Sequence, residues 1–351
     1  MRNETRVLFN QYTGQIAALN GVAAAVQKFT VAASVQQKIE NLMQESSAFL
    51  KQVNIVGVVE KSGQKLGLGI GAPVASTTNT ALQARAPRDL TEVSLVDEYE
   101  CTQTNYDTFI PYAKLDSWAK FSDFQTRIRD LIIQRQALDR ILIGFNGTHR
   151  AATSNPTTYP LLQDVNIGWI QKIRINSPQR VLSEGTKVAD KIRIGKNIDA
   201  LNEDGSNHVG TCDYANLDAL VYDLVNNFVD PWYQEDTQLV VICGRSLLSD
   251  KYFPLVNNNN APSEKVAADT IISQKRMGGL QAVRVPGFPD NALLVTRLDN
   301  LSIYFQEGAR RRNIVDKSEL DRIENYESSN DAFIVENYGM VAFAENIDLI
   351  Q

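Results

Sequence analysis

The residues of this chain best suited to chemistry are the carboxylates Glu324, Glu327, Asp331 and Glu336, crowded into one short stretch. General acid–base work would need a partner group within hydrogen-bond reach, most often a histidine. The two histidines, His149 and His208, stand far apart in polar, loop-like segments, and neither a GxSxG elbow nor a P-loop occurs. The four carboxylates therefore read as a solvated face or as salt bridges between subunits. Gly67-Leu68-Gly69-Ile70-Gly71 has the look of a dinucleotide-binding loop. Its third glycine is misplaced, however, and Pro73 with Ser76-Thr77-Thr78 denies it the helix that such a loop must open. Cys101, Cys212 and Cys243 form no CxxC pair and have no nearby histidine, so they suggest neither zinc nor a disulfide framework. They read as small buried hydrophobes in a reducing compartment. The amide run 257–260 reads as a surface turn. Arg310-Arg311-Arg312, beside Glu307, is the one basic triplet and reads as a source of ion pairs inside an assembly. No catalytic residue, metal ligand or cofactor is expected.

The 351 residues suffice for two domains, or for one with large extensions, and a 43% hydrophobic content allows a sizeable core. With 35 basic and 41 acidic residues the net charge is −6, which argues against wholesale neutralisation of nucleic acid phosphate. No stretch reaches the roughly eighteen apolar residues of a membrane span. Residues 1–9 lack the apolar run of a signal peptide, so a cytoplasm-like setting is expected.

The elements that position these groups follow from periodicity. Residues 53–71 and 99–112 alternate apolar and polar side chains, whereas 75–98 between them offer no apolar face. An isolated two-stranded ribbon is marginal in water, so its natural support is another copy of the protein. That points to an assembly protein. Residues 118–145 then switch to helical spacing and predict a spine roughly 40 Å long, with Asp116 or Ser117 as its cap. Residues 1–50 read as an arm with two helical patterns, and 165–175 as a short helix carrying Trp169. A hairpin is expected at 188–194. Residues 214–305 read as a compact α/β module, with a helix at 217–229, a central buried strand at 239–243, helices at 245–253 and 263–273, and strands at 282–285, 292–296 and 301–304. The terminal strands, 333–335 and 339–344, are expected to pair with 99–112.

Several blocks resemble the major capsid proteins of P2-like tailed phages. They include Met43-Gln44-Glu45-Ser46-Ser47, Asp230-Pro231-Trp232-Tyr233-Gln234-Glu235-Asp236, Ile271-Ile272-Ser273-Gln274-Lys275-Arg276, Asn300-Leu301-Ser302-Ile303-Tyr304 and Glu324-Asn325-Tyr326-Glu327-Ser328. The resemblance runs in order from the first residue to about Asp348. It implies an α+β fold of the Hong Kong 97 type: an N-terminal arm at 1–52, an extended E-loop hairpin at 53–100, a peripheral domain of 101–213 and 306–351 built on the long spine helix, and an axial α/β domain at 214–305. The implied work is self-assembly into hexamers and pentamers that enclose phage double-stranded DNA, touched weakly and without specificity. Scaffold or prohead protease and portal protein are the implied partners, with assembly in the bacterial cytoplasm and no membrane. Arg85, Arg88, Arg310, Arg311 and Arg312 are candidate inter-subunit contacts, and Val31, Ala32 and Ala33 mark a candidate processing region of the arm. Lys61 and Lys65 lie in the loop where some proteins of this fold crosslink, but no crosslink is expected. The alternatives are an encapsulin-like compartment and an α/β enzyme or binding module centred on 214–305.

Overall fold

A computed structural model describes residues 1–65, 75–87, 98–121, 123–201, 207–249, 251 and 275–350. Six helices can be followed through it: α1 (Asn3–Leu19), α2 (Ala33–Glu45), α3 (Tyr112–Trp118), α4 (Phe124–Asn146), α5 (Trp169–Asn176) and α6 (Leu217–Phe228). Two large sheets and three two-stranded pairs carry the described strands.

The first sheet is built around one long strand, Arg322–Val335, whose 14 residues are nearly all withdrawn from solvent. It pairs antiparallel with Arg311–Lys317, Leu301–Gln306, Thr102–Asn105 and Thr108–Pro111, so neighbours cover its whole length. Phe29–Thr30 of the arm extends one edge, and Asn54–Val58, parallel to Leu301–Gln306, extends the other. The second sheet runs in the order Arg276–Met277, Leu280–Val283, Val240–Cys243, Leu293–Thr296, Ala342–Ala344, Val181–Leu182. Its Val240–Cys243 strand lies inside the sheet, as its unbroken apolar run predicts. One face of this sheet is covered by α6 through Leu217, Leu220, Val221 and Leu224. The other face closes on α4, α5 and the first sheet in the main core.

Trp169 organises that core. Its ring is fully buried, with Phe145 and Phe333 edge-on at 5.1 and 5.4 Å, and its Nε1 donates to the Ser302 carbonyl at 2.9 Å. The buried indole thus gains contact area while its one polar atom stays bonded. It fits because α4 carries Gly144 opposite: a Cβ there would stand 2.2 Å from the ring. A third cluster seats α1 through Phe9, Tyr12 and Ile16 on Tyr112, Leu115, Ile128, Ile132, Ile314 and Ile323.

Several expectations are corrected. The spine at 118–145 is two helices, α3 ending at Trp118 and α4 beginning at Phe124, and Asp123 before α4 accepts from Arg127 Nε at 2.8 Å. Asp123 itself has left the helical region, at φ −97° and ψ 20°. Asp116 lies inside α3 and accepts from the Arg2 backbone N–H instead of capping a spine. Among the described residues, Ser62–Gln64 and Glu98–Glu100 pair as the ribbon's stem. The flanking runs join the first sheet. The expected 188–194 hairpin is a single bridge, Val188 to Lys191, and Ile192–Ile194 runs parallel to Ile347–Leu349. Phe333, Ile334 and Val335 do belong to the strand that pairs with 102–111, but Ala342–Ala344 closes onto Leu293–Thr296. Leu301–Gln306 lies in the first sheet, not with the α/β module. The amide run, the 263–273 helix and the Gly67–Gly71 run lie outside the described residues.

In Gly144→Ala the helix-propensity gain of about 1 kcal/mol competes with overpacking against Trp169, which costs about 1–3 kcal/mol. The clash should win, and a lowered urea midpoint of the isolated subunit is the expected outcome.

Candidate assembly site

The charged residues divide into a set sealed inside the subunit and a set presented to solvent. The sealed set joins three parts of the fold. Arg140 of α4 donates to Asp331 of the long strand, at 2.9 Å from Nη2 and 3.2 Å from Nε, and also to both oxygens of Glu40 on α2. Arg310, just before Arg311–Lys317, donates from Nη1 to Glu40 at 3.0 Å and from Nε to Glu327 at 2.8 Å. Gln136 bridges the two, accepting from Arg310 at 2.5 Å and donating to Glu327 at 3.1 Å. Ser329 and Tyr106 donate their hydroxyls to Asp331 at 2.8 and 3.2 Å. The side chains of Arg140, Arg310 and Glu40 are each 1% exposed.

Burial alone would drive such groups neutral. Burial disfavours the Glu327 carboxylate, but the guanidinia of Arg310 and Arg312 outweigh it and hold the pKa down at about 2. Burial likewise opposes the charge on Arg140, and the carboxylates of Asp331 and Glu40 overcome it, so this arginine is held more firmly protonated than a free one. With Arg312 facing Glu327, three cations balance three anions. The Tyr106 phenol is pushed upward by burial and then by the Asp331 charge.

This corrects two sequence expectations. Glu327 and Asp331, 4% and 1% exposed, are neither a solvated face nor free for another subunit. Arg310 is spent inside its own subunit, and Arg312 bonds Asn325 at 2.7 Å and the Tyr12 hydroxyl at 3.1 Å. Arg311 alone of the triplet is exposed. Periodicity missed Arg140, Gln136 and Glu40, whose partners are distant in sequence; the available signal was Arg140 sitting on the apolar stripe of α4 beside Ala137 and Ile141.

The outward set includes Arg85, in a segment (75–87) that is exposed at every residue except half-buried Thr78. Leu82 there is 84% exposed. Arg88 lies outside the described residues. Leu131 and Leu138, seven residues apart on α4, also face solvent, as do Val59 and Trp232. Of the arm's candidate processing residues, Val31 is buried with its N–H on the Arg310 carbonyl at 2.8 Å, Ala32 is half-buried and Ala33 is exposed. All three cysteines are buried. Among the described residues no group of three or more His, Cys, Asp or Glu could hold a metal ion, and no helix is long and apolar enough to cross a membrane.

A sheet-and-spine body with a lateral arm and a projecting loop is the Hong Kong 97-type fold of phage shell proteins. The chain belongs to the family described as phage major capsid protein, P2 family, whose model matches residues 8–347. It is 50% identical over 355 residues to the capsid proteins of Escherichia phage P2, covering 99% of this chain and 95% of that one. It is 40% identical over 359 residues to the major capsid protein of Serratia phage KSP20, covering 100% and 99%. A chain of the satellite phage P4 procapsid that includes the size determination (Sid) protein superposes with a TM-score of 0.80 at 47% identity, covering 100% of this chain and 99% of that one. The protein is a structural component of the virion: copies of it form the icosahedral shell of a phage head, and its relatives are structural capsid proteins, a family not known to be enzymatic.

Because the pKa of Glu327 is depressed on folding, its stabilisation is complete above the unfolded value, near 4.5, and is lost as pH falls from there towards 2. The loss is on the order of 3 kcal/mol. Urea unfolding of the subunit between pH 7 and pH 3 should show this decline. Glu327→Gln should remove that part of the acid sensitivity while lowering stability at pH 7 by about 3–5 kcal/mol, because Arg310 and Arg312 lose the carboxylate between them and Arg310 is left to share Glu40 with Arg140.

Proposed function

We propose that this capsid protein builds its shell from hexamers and pentamers in which the 62–100 loop of each subunit lies on a neighbouring copy. The carrying observation is the exposure of residues 75–87: twelve of these thirteen positions are exposed on their own subunit, Thr78 is half-buried, and Leu82 is almost bare. A segment without a core cannot offset its own ordering entropy. It gains that offset against a second surface, and exposed Leu131, Leu138 and Val59 supply apolar area on the subunit body. Arg85 and Arg311, both exposed, are the cations available for contacts between subunits, with Arg88 as a third candidate from the sequence.

The division into arm (1–52), loop (53–100), peripheral part (101–213 and 306–351) and axial part (214–305) is kept as the working plan of the subunit, with the 301–306 strand shared across the last boundary. In this reading the shell is assembled in the bacterial cytoplasm with a scaffold or prohead protease, closes on a portal protein and encloses double-stranded DNA. The net charge of −6 keeps contact with DNA weak and salt-sensitive. Trimming of the arm near Val31, Ala32 and Ala33 would first require this segment to leave the sheet edge, because Phe29–Thr30 is paired there.

Replacing residues 66–97 with a short turn tests the loop's role. The expected product is a subunit of unchanged circular dichroism and near-normal melting temperature that forms no closed shells by electron microscopy. Closed shells of normal size from this variant would refute the role given to the loop.

A further inference from the structure

Lys65 stands at the root of the loop, and its ammonium is withdrawn from solvent. Its Nζ donates to the Val335 carbonyl at 3.0 Å and to the Glu336 carbonyl, and it lies 3.8 Å from the Glu336 carboxylate. The other carboxylate oxygen of Glu336 accepts from the Tyr304 hydroxyl at 3.0 Å. The Tyr304 ring in turn meets Tyr99 edge-on, with centroids 5.3 Å apart, and Tyr99 belongs to the returning strand of the stem. Both strands of the stem are therefore fastened to one spot, the turn that follows the long strand Arg322–Val335. At the base of the stem its two sides are also joined to each other, where the Cys101 N–H donates to the Lys61 carbonyl at 2.7 Å.

Burying an ammonium is unfavourable unless its donors are all satisfied. The stem has no need of one to pair Ser62–Gln64 with Glu98–Glu100, because backbone hydrogen bonds and the exposed Lys61–Glu100 ion pair at 3.0 Å already join these strands. What the buried Lys65 adds is a bond from the stem to the body. The three described stem residues on each side do not by themselves hold a direction, and any pivot at the root is multiplied along a chain whose reach is up to about 3.5 Å per residue. Carbonyl oxygens at the end of a central strand are among the least mobile acceptors in the subunit, since that strand is paired along its length.

We infer that Lys65 is a positioning latch: with Glu336, Tyr304 and Tyr99 it fixes the direction in which the loop leaves the subunit, so that neighbouring copies meet at the angle a closed shell requires. The inference rests on the loop's role in joining subunits, and its test separates the two. In the unassembled subunit, spin labels on Leu82→Cys and Glu319→Cys report the loop against the body; the native cysteines are buried and escape labelling. Lys65→Met keeps the volume and removes the charge together with its need for partners. It should leave the melting temperature within a few degrees, broaden the label-to-label distance distribution at least twofold, and cut the yield of closed shells at least tenfold in favour of open or misshapen sheets. Lys65→Arg, which retains donors for the two carbonyls, should restore part of that yield. An unchanged distance distribution would overturn the latch, whatever happens to assembly. A broadened distribution with normal shells would overturn its link to closure. If Lys65→Met does not fold, Tyr304→Phe carries the same test, since it deletes only the hydroxyl that holds Glu336; an unbroadened distribution there overturns the proposal equally.

Discussion

The fold depends on a set of charges that cannot reach water. Arg140, Arg310, Glu40, Glu327 and Asp331 come from the arm, the spine helix and two strands of the first sheet, and each satisfies another. Removing any one unbalances the buried charge, so these parts must be present together and in one register. A hydrophobic core of the same volume would tolerate small slips. This network does not, because guanidinium–carboxylate bonds are directional. Shell building needs that rigidity, since an angular error in one subunit is repeated in every copy.

Around this fixed centre the apolar clusters are arranged so that the two sheets share one core. Trp169 lies between them, bonded to the strand that begins at Leu301 and packed against Phe333 of the long strand. The second sheet is thereby held to the first through side chains and not through a hinge. The loop at 62–100 is the counterpart. Its stem is bound to the body by Lys65 and Tyr99, but residues 75–87 have little to bury until another copy is present. A stiff body with one unsatisfied extension can recognise its own kind without an adhesive core at every edge.

Much of this was legible in the residues. The helical spacing of the arm, the continuous Val240–Cys243 strand and part of the apolar stripe of α4, Ile128, Ile132, Ile141 and Phe145, follow from burial patterns acting within one element, whereas Leu131 and Leu138 of the same stripe face solvent. The break before α4 was not legible, because the apolar spacing runs through it unchanged. The ribbon was overestimated because strands 54–58, 102–105 and 108–111 have the same alternation whether they pair with each other or with a distant strand. The charged residues misled most. Arg310 and Glu327 sit in polar runs that resemble a solvated surface, and only the meeting of far-separated segments reveals that they are buried. Lys65 looked like an ordinary loop lysine for the same reason.

The central claim is that the subunit is complete except for the loop, which finds its burial on a neighbour. Cryo-electron microscopy of assembled shells, resolved well enough to place side chains, tests it most directly. The account predicts residues 75–87 ordered against an adjacent subunit, with Leu82 buried between copies and the Arg140–Glu40–Arg310–Glu327 contacts unchanged. A loop that remains in solvent or folds back on its own subunit, or a sealed network rearranged on assembly, would contradict it.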